Sequence, residues 1–301
     1  MRDASRAAQA RARAALAASM CIFGTVGLLR RALPLPSGRV ALVRAAVGLA
    51  CLLAWPAVRK QPLGLAAARP QLPALCLSGA MMGLNWILLF EAYRYASVAV
   101  ATLCYYMAPV FVALAAPLLL HERLTRRSAL CAAVAALGVA LVSGVFGGGD
   151  AAYGTPRGVL YALLAAALYA CVVLVNKRVP GVPAGARTAV QLFAAAVVLL
   201  PYTLLVEGGA AQALTPRTAL LLLTAGVLHT GIAYTLYFSA MEPLGATTVA
   251  LMSYLDPVVA VLLSALVLGE PLGAAACAGA ALILGAACVS ELPPRAGGKA
   301  A

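Results

Sequence analysis

The chain has 301 residues, of which 64% are hydrophobic and 10% charged, with a mean hydropathy of +0.97. A soluble domain carries roughly 25% charged residues, so this chain lacks the charge to cover a water-facing surface and its solvent is mostly lipid. The net charge of +13 does not point to nucleic acid, because the Lys and Arg residues sit in short gaps between apolar runs and form no basic stripe.

Ten apolar runs follow one another, each near the roughly 20 residues a helix needs to cross the hydrocarbon. They read as Ala14–Leu29, Val40–Val58, Leu72–Tyr93, Val98–Leu120 and Ser128–Val145, then Gly158–Val175, Thr188–Leu205, Thr218–Ala240, Gly245–Leu268 and Gly273–Val289. The basic, then apolar start resembles a secretory signal, but so many runs follow that an uncleaved first span is the better reading. None of the runs alternates polar with apolar residues as barrel strands do, so helices are expected. The eight cysteines all lie within apolar runs and form neither a CxxC nor a Cys/His ligand set, so they read as small buried hydrophobes. No metal or cofactor is expected.

Orientation comes from the basic residues. Of the 22, fifteen fall in segments that an N-in chain places inside, six fall outside, and Arg44 lies within a span. The bias predicts both termini in the cytoplasm and a multi-pass protein of the cell (inner) membrane.

The runs also repeat. At a constant offset of 148, Tyr106 meets Tyr254, Pro109 meets Pro257 and Glu122 meets Glu270; upstream, Trp86 meets Tyr234 and Phe90 meets Phe238. Apolar composition matches leucines by chance, but it does not align a proline and a glutamate in one frame. The chain divides into a basic segment 1–13, repeats at 14–149 and 150–291, and a tail 292–301. Five spans per repeat is an odd number, so the second repeat starts on the opposite side. The expected fold is an all-α membrane protein of ten transmembrane helices, arranged as two inverted five-helix repeats.

These features resemble the drug/metabolite transporter superfamily, specifically EamA-type carriers. The best marks are YYMAP with HERLT at 105–125 and YLDP with GEPL at 254–272. Arg44 in span two also fits the family's habit, with Gln191 its approximate counterpart in span seven. Asn85, Trp86 and Asp256 are not general family marks and set this chain apart. The resemblance covers nearly the whole chain. It implies secondary transport of small metabolites by alternating access, often export of amino acids or related compounds.

Under the repeat, spans three and four correspond to eight and nine, so these four spans are the natural cavity lining. They carry Asn85, Trp86, Tyr105 and Tyr106 in one half, and Tyr234, Tyr237 and Tyr254 in the other. Tyr and Trp join an apolar face to a polar tip, which suits a zwitterion or a cation; an interfacial aromatic belt is the alternative. Pro109 and Pro257 each remove a backbone hydrogen bond, kink their span, and free carbonyls at or near Tyr105 and Ser253.

Asp256 lies deep in span nine, where a carboxylate costs about 2.5–3.5 kcal/mol on insertion scales. It can pair with a substrate amine, exchange a proton, or hold Arg44 in a structural ion pair. Arg44 can instead bind a carboxylate bidentately. Glu91, three residues before Arg94, reads as a local pair or a coupling group. His229 reads as a proton relay or as a hydrogen-bonded packing residue. Glu122 and Glu270 end spans four and nine, against the helix dipole, and so are expected to have structural, cationic partners.

There is no GxSxG, no nucleotide-binding loop and no HExxH. A carrier driven by a gradient or by exchange is therefore the leading reading. An intramembrane enzyme would need paired groups at one depth, with Asp256 and His229 as its only candidates. A membrane scaffold would not need a polar, aromatic midplane. The expected partners are a small-molecule substrate and the lipid bilayer, with a homodimer as an open alternative and nucleic acid excluded.

Overall fold

The computed structural model describes residues 2–59, 63–120, 126–142, 155–208, 214–241, 244 and 246–291. All regular structure among them is helical. The first half contains α1 (Arg2–Gly24), α2 (Val26–Ala32), α3 (Ser37–Arg59), a 3-10 turn (Leu65–Gln71), α4 (Leu72–Tyr95), α5 (Val98–Tyr105), α6 (Ala108–Leu120) and α7 (Arg126–Val142). The second contains α8 (Pro156–Lys177), α9 (Ala184–Leu205), α10 (Pro216–Gly226), a π-helical stretch (Val227–Ile232), α11 (Ala233–Met241), α12 (Ala246–Ser253), α13 (Leu255–Val267) and α14 (Ala274–Glu291).

Local chemistry explains several starts. Thr155 and Thr215 accept hydrogen bonds from Gly158 N and Thr218 N, and each is followed by a proline whose missing N–H costs nothing in a first turn. Ser97 caps α5 the same way, through Val100 N.

Against the ten runs read from the sequence, seven helical stretches among the described residues are long and apolar enough to cross a membrane. Three further apolar helices are shorter: Ala129–Val142, Leu255–Val267 and Ala274–Val289. The second of these is short because its span is interrupted at Tyr254. Large apolar side chains on the perimeter, among them Leu205 at 83% and Leu266 at 80% exposure, fit a lipid solvent rather than water. Cys104 and Cys131 are buried, but Cys21, Cys76, Cys171 and Cys277 are exposed, so the reading of all eight as buried does not hold.

Packing follows the 148-residue offset. α4 packs against α8 and α9. Its counterparts, α10 through α11, pack against α1 and α3, the counterparts of α8 and α9. α3 meets α9 and α7 meets α14, each helix facing its own counterpart. Among the described residues the halves differ in at least two places: the π-helical stretch of the second corresponds to unbroken α4 in the first, and the break at Thr25 between α1 and α2 corresponds to unbroken α8.

The α7–α14 crossing is set by two glycines. A Cβ on Gly138 would stand 2.8 Å from Gly279 O, and one on Gly279 would stand 2.6 Å from Gly138 O. Small residues let helix backbones approach this closely in a bilayer. Gly138→Leu should therefore destabilise the purified protein by about 1–3 kcal/mol. Gly285→Leu, with nothing within 4 Å of its Cβ, should leave thermal unfolding in detergent nearly unchanged. Equal melting temperatures for the two variants would show that the crossing is not close-packed.

Candidate functional site

Helices of both halves surround a cavity of about 440 Å³, within the roughly 300–1,000 Å³ common for small-molecule sites. Its floor is built from two interrupted helices. The break at Tyr106–Met107 joins α5 to α6, and the break at Tyr254 joins α12 to α13. Pro109 and Pro257 lie just past these breaks, in the first turn of α6 and of α13, so each interruption falls ahead of its proline rather than at it. Tyr106 and Tyr254, equivalent in the repeat, bring their rings together at a tilt of 50°, with centroids 6.0 Å apart. The Tyr106 hydroxyl reaches Ser253 O at 3.3 Å, the carbonyl four residues before Pro257. One half thus partners a carbonyl that the proline of the other half leaves free.

Trp86 and Tyr105 complete the wall from the first half, and Tyr234 from the second. The cavity runs along α8 past Tyr169 and Val173 to Lys177 at the end of that helix. At the other end it stops against Tyr93 of α4, whose hydroxyl pairs with Thr102 at 3.2 Å.

Besides Lys177 at its end, two charged residues line the middle of this space. Arg44, 5% exposed, spends Nε on Thr230 Oγ1 at 3.0 Å. Its guanidinium lies over the Trp86 ring, 4.5 Å from the centroid. Among the described residues neither Nη nitrogen has a hydrogen-bond partner. Asp256 accepts the Tyr106 hydroxyl through Oδ2 at 2.9 Å, and its Oδ1 likewise has no protein partner among the described residues. No direct ion pair joins Arg44 to Asp256, so the structural-pair reading of these residues is not what the geometry gives. The two present a guanidinium fork and a carboxylate oxygen to one cavity, with aromatic rings between.

Several residues singled out in the sequence lie elsewhere. Asn85 is fully buried behind Tyr105; it accepts the Tyr105 hydroxyl at 3.4 Å and donates to Ala165 O at 2.5 Å, so it holds the wall and does not line it. Tyr237 packs edge-on to Phe238, off the cavity, because its helix face turns toward α1. His229 uses both ring nitrogens, one on Thr25 Oγ1 at 2.8 Å and one on Thr224 O at 3.1 Å, and borders a separate small void. It is therefore not paired with Asp256. Glu91 meets Arg94 at 3.0 Å and accepts from Ser37 Oγ at 2.6 Å, near the end of α4. Gln191 donates to Ser78 Oγ and to Asn176 Oδ1, away from Arg44.

Glu270 pairs with Arg31 at 2.9 Å and accepts the Val98 N–H at 2.7 Å, so it ties α2 to the start of α5. Its repeat partner Glu122 lies outside the described residues.

The sequence reading missed Tyr93, Thr102, Tyr169 and Lys177. Tyr93 sits seven residues after Trp86, two helical turns along the same face of α4, and that spacing was the available signal. Tyr169 has no aromatic counterpart at the offset, so the repeat did not flag it. Among the described residues no three His, Cys, Asp or Glu side chains converge to hold a metal ion.

Residues 12–144 and 156–291 each match the model of the EamA-like transporter family. Over 252 residues the chain is 29% identical to "Uncharacterized transporter YxxF" of Bacillus subtilis (strain 168), covering 83% of this chain and 80% of that relative. Over 216 residues it is 30% identical to "Protein PecM" of Dickeya dadantii (strain 3937), covering 68% of each. A solved structure titled only "Crystal structure of protein" superposes with a TM-score of 0.63 at 23% identity, covering 92% of this chain and 95% of the other.

Proposed function

This chain belongs to the EamA-like transporter family, and we propose that it is a secondary carrier, moving small amino-acid-like or cationic metabolites across the cell membrane by alternating access. The observation that carries the substrate class is the pair of unspent groups in one cavity. The Arg44 Nη nitrogens suit a carboxylate, and Asp256 Oδ1 suits an amine. The aromatic walls supply faces for an apolar side chain or a cation.

Alternating access is supported by the repeat. Ten spans in two inverted halves give two nearly equivalent packings, one open to each side. The exchange-symmetric contacts of α3 with α9 and α7 with α14 fit an axis between the halves. In the conformation described, the cavity extends from Tyr93 to Lys177 at the end of α8. With both termini cytoplasmic, Lys177 marks the inner end, from which a solute would load for export. Gradients or exchange supply the energy. The carrier reading outweighs the enzyme one because Asp256 and His229 border different voids.

The test is flux in proteoliposomes holding the purified protein, challenged with a panel of amino acids and amines. Saturable uptake of a member is expected. Trp86→Ala should lower that uptake about tenfold at unchanged protein yield, in line with a cation–π stack of roughly 1–2 kcal/mol lost beneath Arg44. Flux falling only in step with yield would assign Trp86 to packing, and no flux for any member would remove the proposed substrate class.

A further inference from the structure

A second void, of about 470 Å³, lies where α2, the α2–α3 connection and the last turn of α4 meet. Three arginines line it, Arg30, Arg31 and Arg94, and no acidic residue does. Glu270 and Glu91 pair with Arg31 and Arg94 from outside this lining, and each pair uses one nitrogen of its arginine. Nε and Nη1 of Arg31, and Nε and Nη2 of Arg94, have no hydrogen-bond partner among the described residues.

Arg30 is the sharper case. It is 4% exposed and donates to Leu33 O and Ser37 Oγ at 3.0 Å each; among the described residues it makes no direct ion pair, and the Ser37 hydroxyl relays it to Glu91 Oε1, 2.6 Å further on. Its Nε is buried without any partner. A buried cation normally has a counter-ion, because desolvating an unpaired charge is costly.

The void also borders the transport cavity. Tyr93 lines both, so the two voids meet at this residue. Arg30 and Arg44 together line a third, small void beside Phe90. Guanidiniums thus follow one another from the end of the bundle to its middle: Arg31 and Arg94, then Arg30, then Arg44.

We propose that this vestibule is a second binding site, which takes the carboxylate of a small soluble solute on the nitrogens that Arg31 and Arg94 leave unpartnered, with Arg30 adding positive charge from behind. Its part in transport, a docking step between the central cavity and bulk water on the far side of Tyr93, rests on the carrier reading; the binding itself does not. A lipid phosphate offers similar oxyanion chemistry, but a site that shares its inner wall with the solute cavity favours the soluble ligand.

The test uses the full-length protein with its native cysteines replaced and a thiol introduced by Pro34→Cys, at an exposed position in the vestibule lining. Pro36→Cys serves as a second reporter should the first disturb the connection. In phosphatidylcholine nanodiscs, the rate with an anionic methanethiosulfonate is compared with that of a cationic one of similar size, each scaled to its rate with mercaptoethanol. Focused positive potential should favour the anionic reagent by about tenfold. Succinate should slow that reaction more than sodium chloride at equal ionic strength, and Arg31→Gln with Arg94→Gln should bring the ratio near one.

A ratio of one or less in the parent would overturn the site. So would succinate protecting no better than chloride, or protection by phosphatidylglycerol in the nanodisc but not by succinate. Anion selectivity with no flux for any solute would leave the site standing and remove the carrier reading instead.

Discussion

Arg44→Lys is expected to cut transport by about a hundredfold or more, with protein yield and size-exclusion profile close to the parent. The substitution keeps the positive charge, so the cost of burying a cation at this depth stays and folding is little affected. What it removes is geometry. Arg44 holds its guanidinium plane between Thr230 Oγ1, at 3.0 Å from Nε, and the Trp86 ring, at 4.5 Å. That clamp aims both Nη nitrogens in one direction. A lysine ammonium is a single flexible point charge with no fork to present. Charge-assisted hydrogen bonds contribute roughly 1.5–3 kcal/mol each, and 1.4 kcal/mol is tenfold. Losing one bond of a bidentate pair together with the Thr230 anchor therefore reaches a hundredfold. The loss should sit in KM for the carboxylate-bearing solute. Thr230→Val, which frees Nε and leaves the arginine in place, should show a weaker version of the same change. Arg44→Lys with KM within twofold of the parent would mean that no carboxylate binds there.

Much of this arrangement was legible in the sequence. The register of Tyr106 with Tyr254 and of Pro109 with Pro257 marked the interrupted helices before any coordinates. It could do so because a duplicated unit repeats its local breaks along with its apolar runs. Arg44 and Asp256 stand out because charged groups deep in apolar runs are costly without a use, and Trp86 because it lies mid-run and meets an aromatic, Tyr234, at the offset.

Other features were invisible for physical reasons. The π-helical stretch at Val227–Ile232 places Thr230 against Arg44, yet its residues read as ordinary helix, because one extra residue in a turn has no composition. Asn85 and Tyr237 were placed in the cavity by membership of the right spans. Span membership sets depth, but which face turns inward depends on the neighbouring helices. Arg30 and Arg31 read as the stop of the first span. Their convergence with Arg94 on one void depends on how α2 meets the end of α4, which no local pattern encodes.

Asp256→Asn is the most informative change for the energetics of transport. Asparagine keeps the shape of the side chain and an oxygen that can accept the Tyr106 hydroxyl, which lies 2.9 Å from Asp256 Oδ2. Only the negative charge and the exchangeable proton are lost. In the first half Ala108 occupies the equivalent position, so the fold does not need a carboxylate at this place in the repeat. A charged residue that costs about 2.5–3.5 kcal/mol at a helix centre is then retained for what it does there. If Asp256 takes up a proton as an amine leaves and releases it as the next amine binds, each solute moved one way returns a proton the other way. Two results should then appear together in proteoliposomes. Asp256→Asn should lose accumulation driven by a pH gradient, because the variant has no proton to return. It should keep part of the solute-for-solute exchange at equal pH on both sides, since exchange moves no net proton and the Arg44 fork still holds the carboxylate. His229→Gln, whose parent side chain bridges Thr25 and Thr224 outside the cavity, should leave the pH response in place. An Asp256→Asn protein that still accumulates solute with the parent's pH dependence would show that the coupling proton travels through another group, leaving Asp256 as a binding residue for the amine alone.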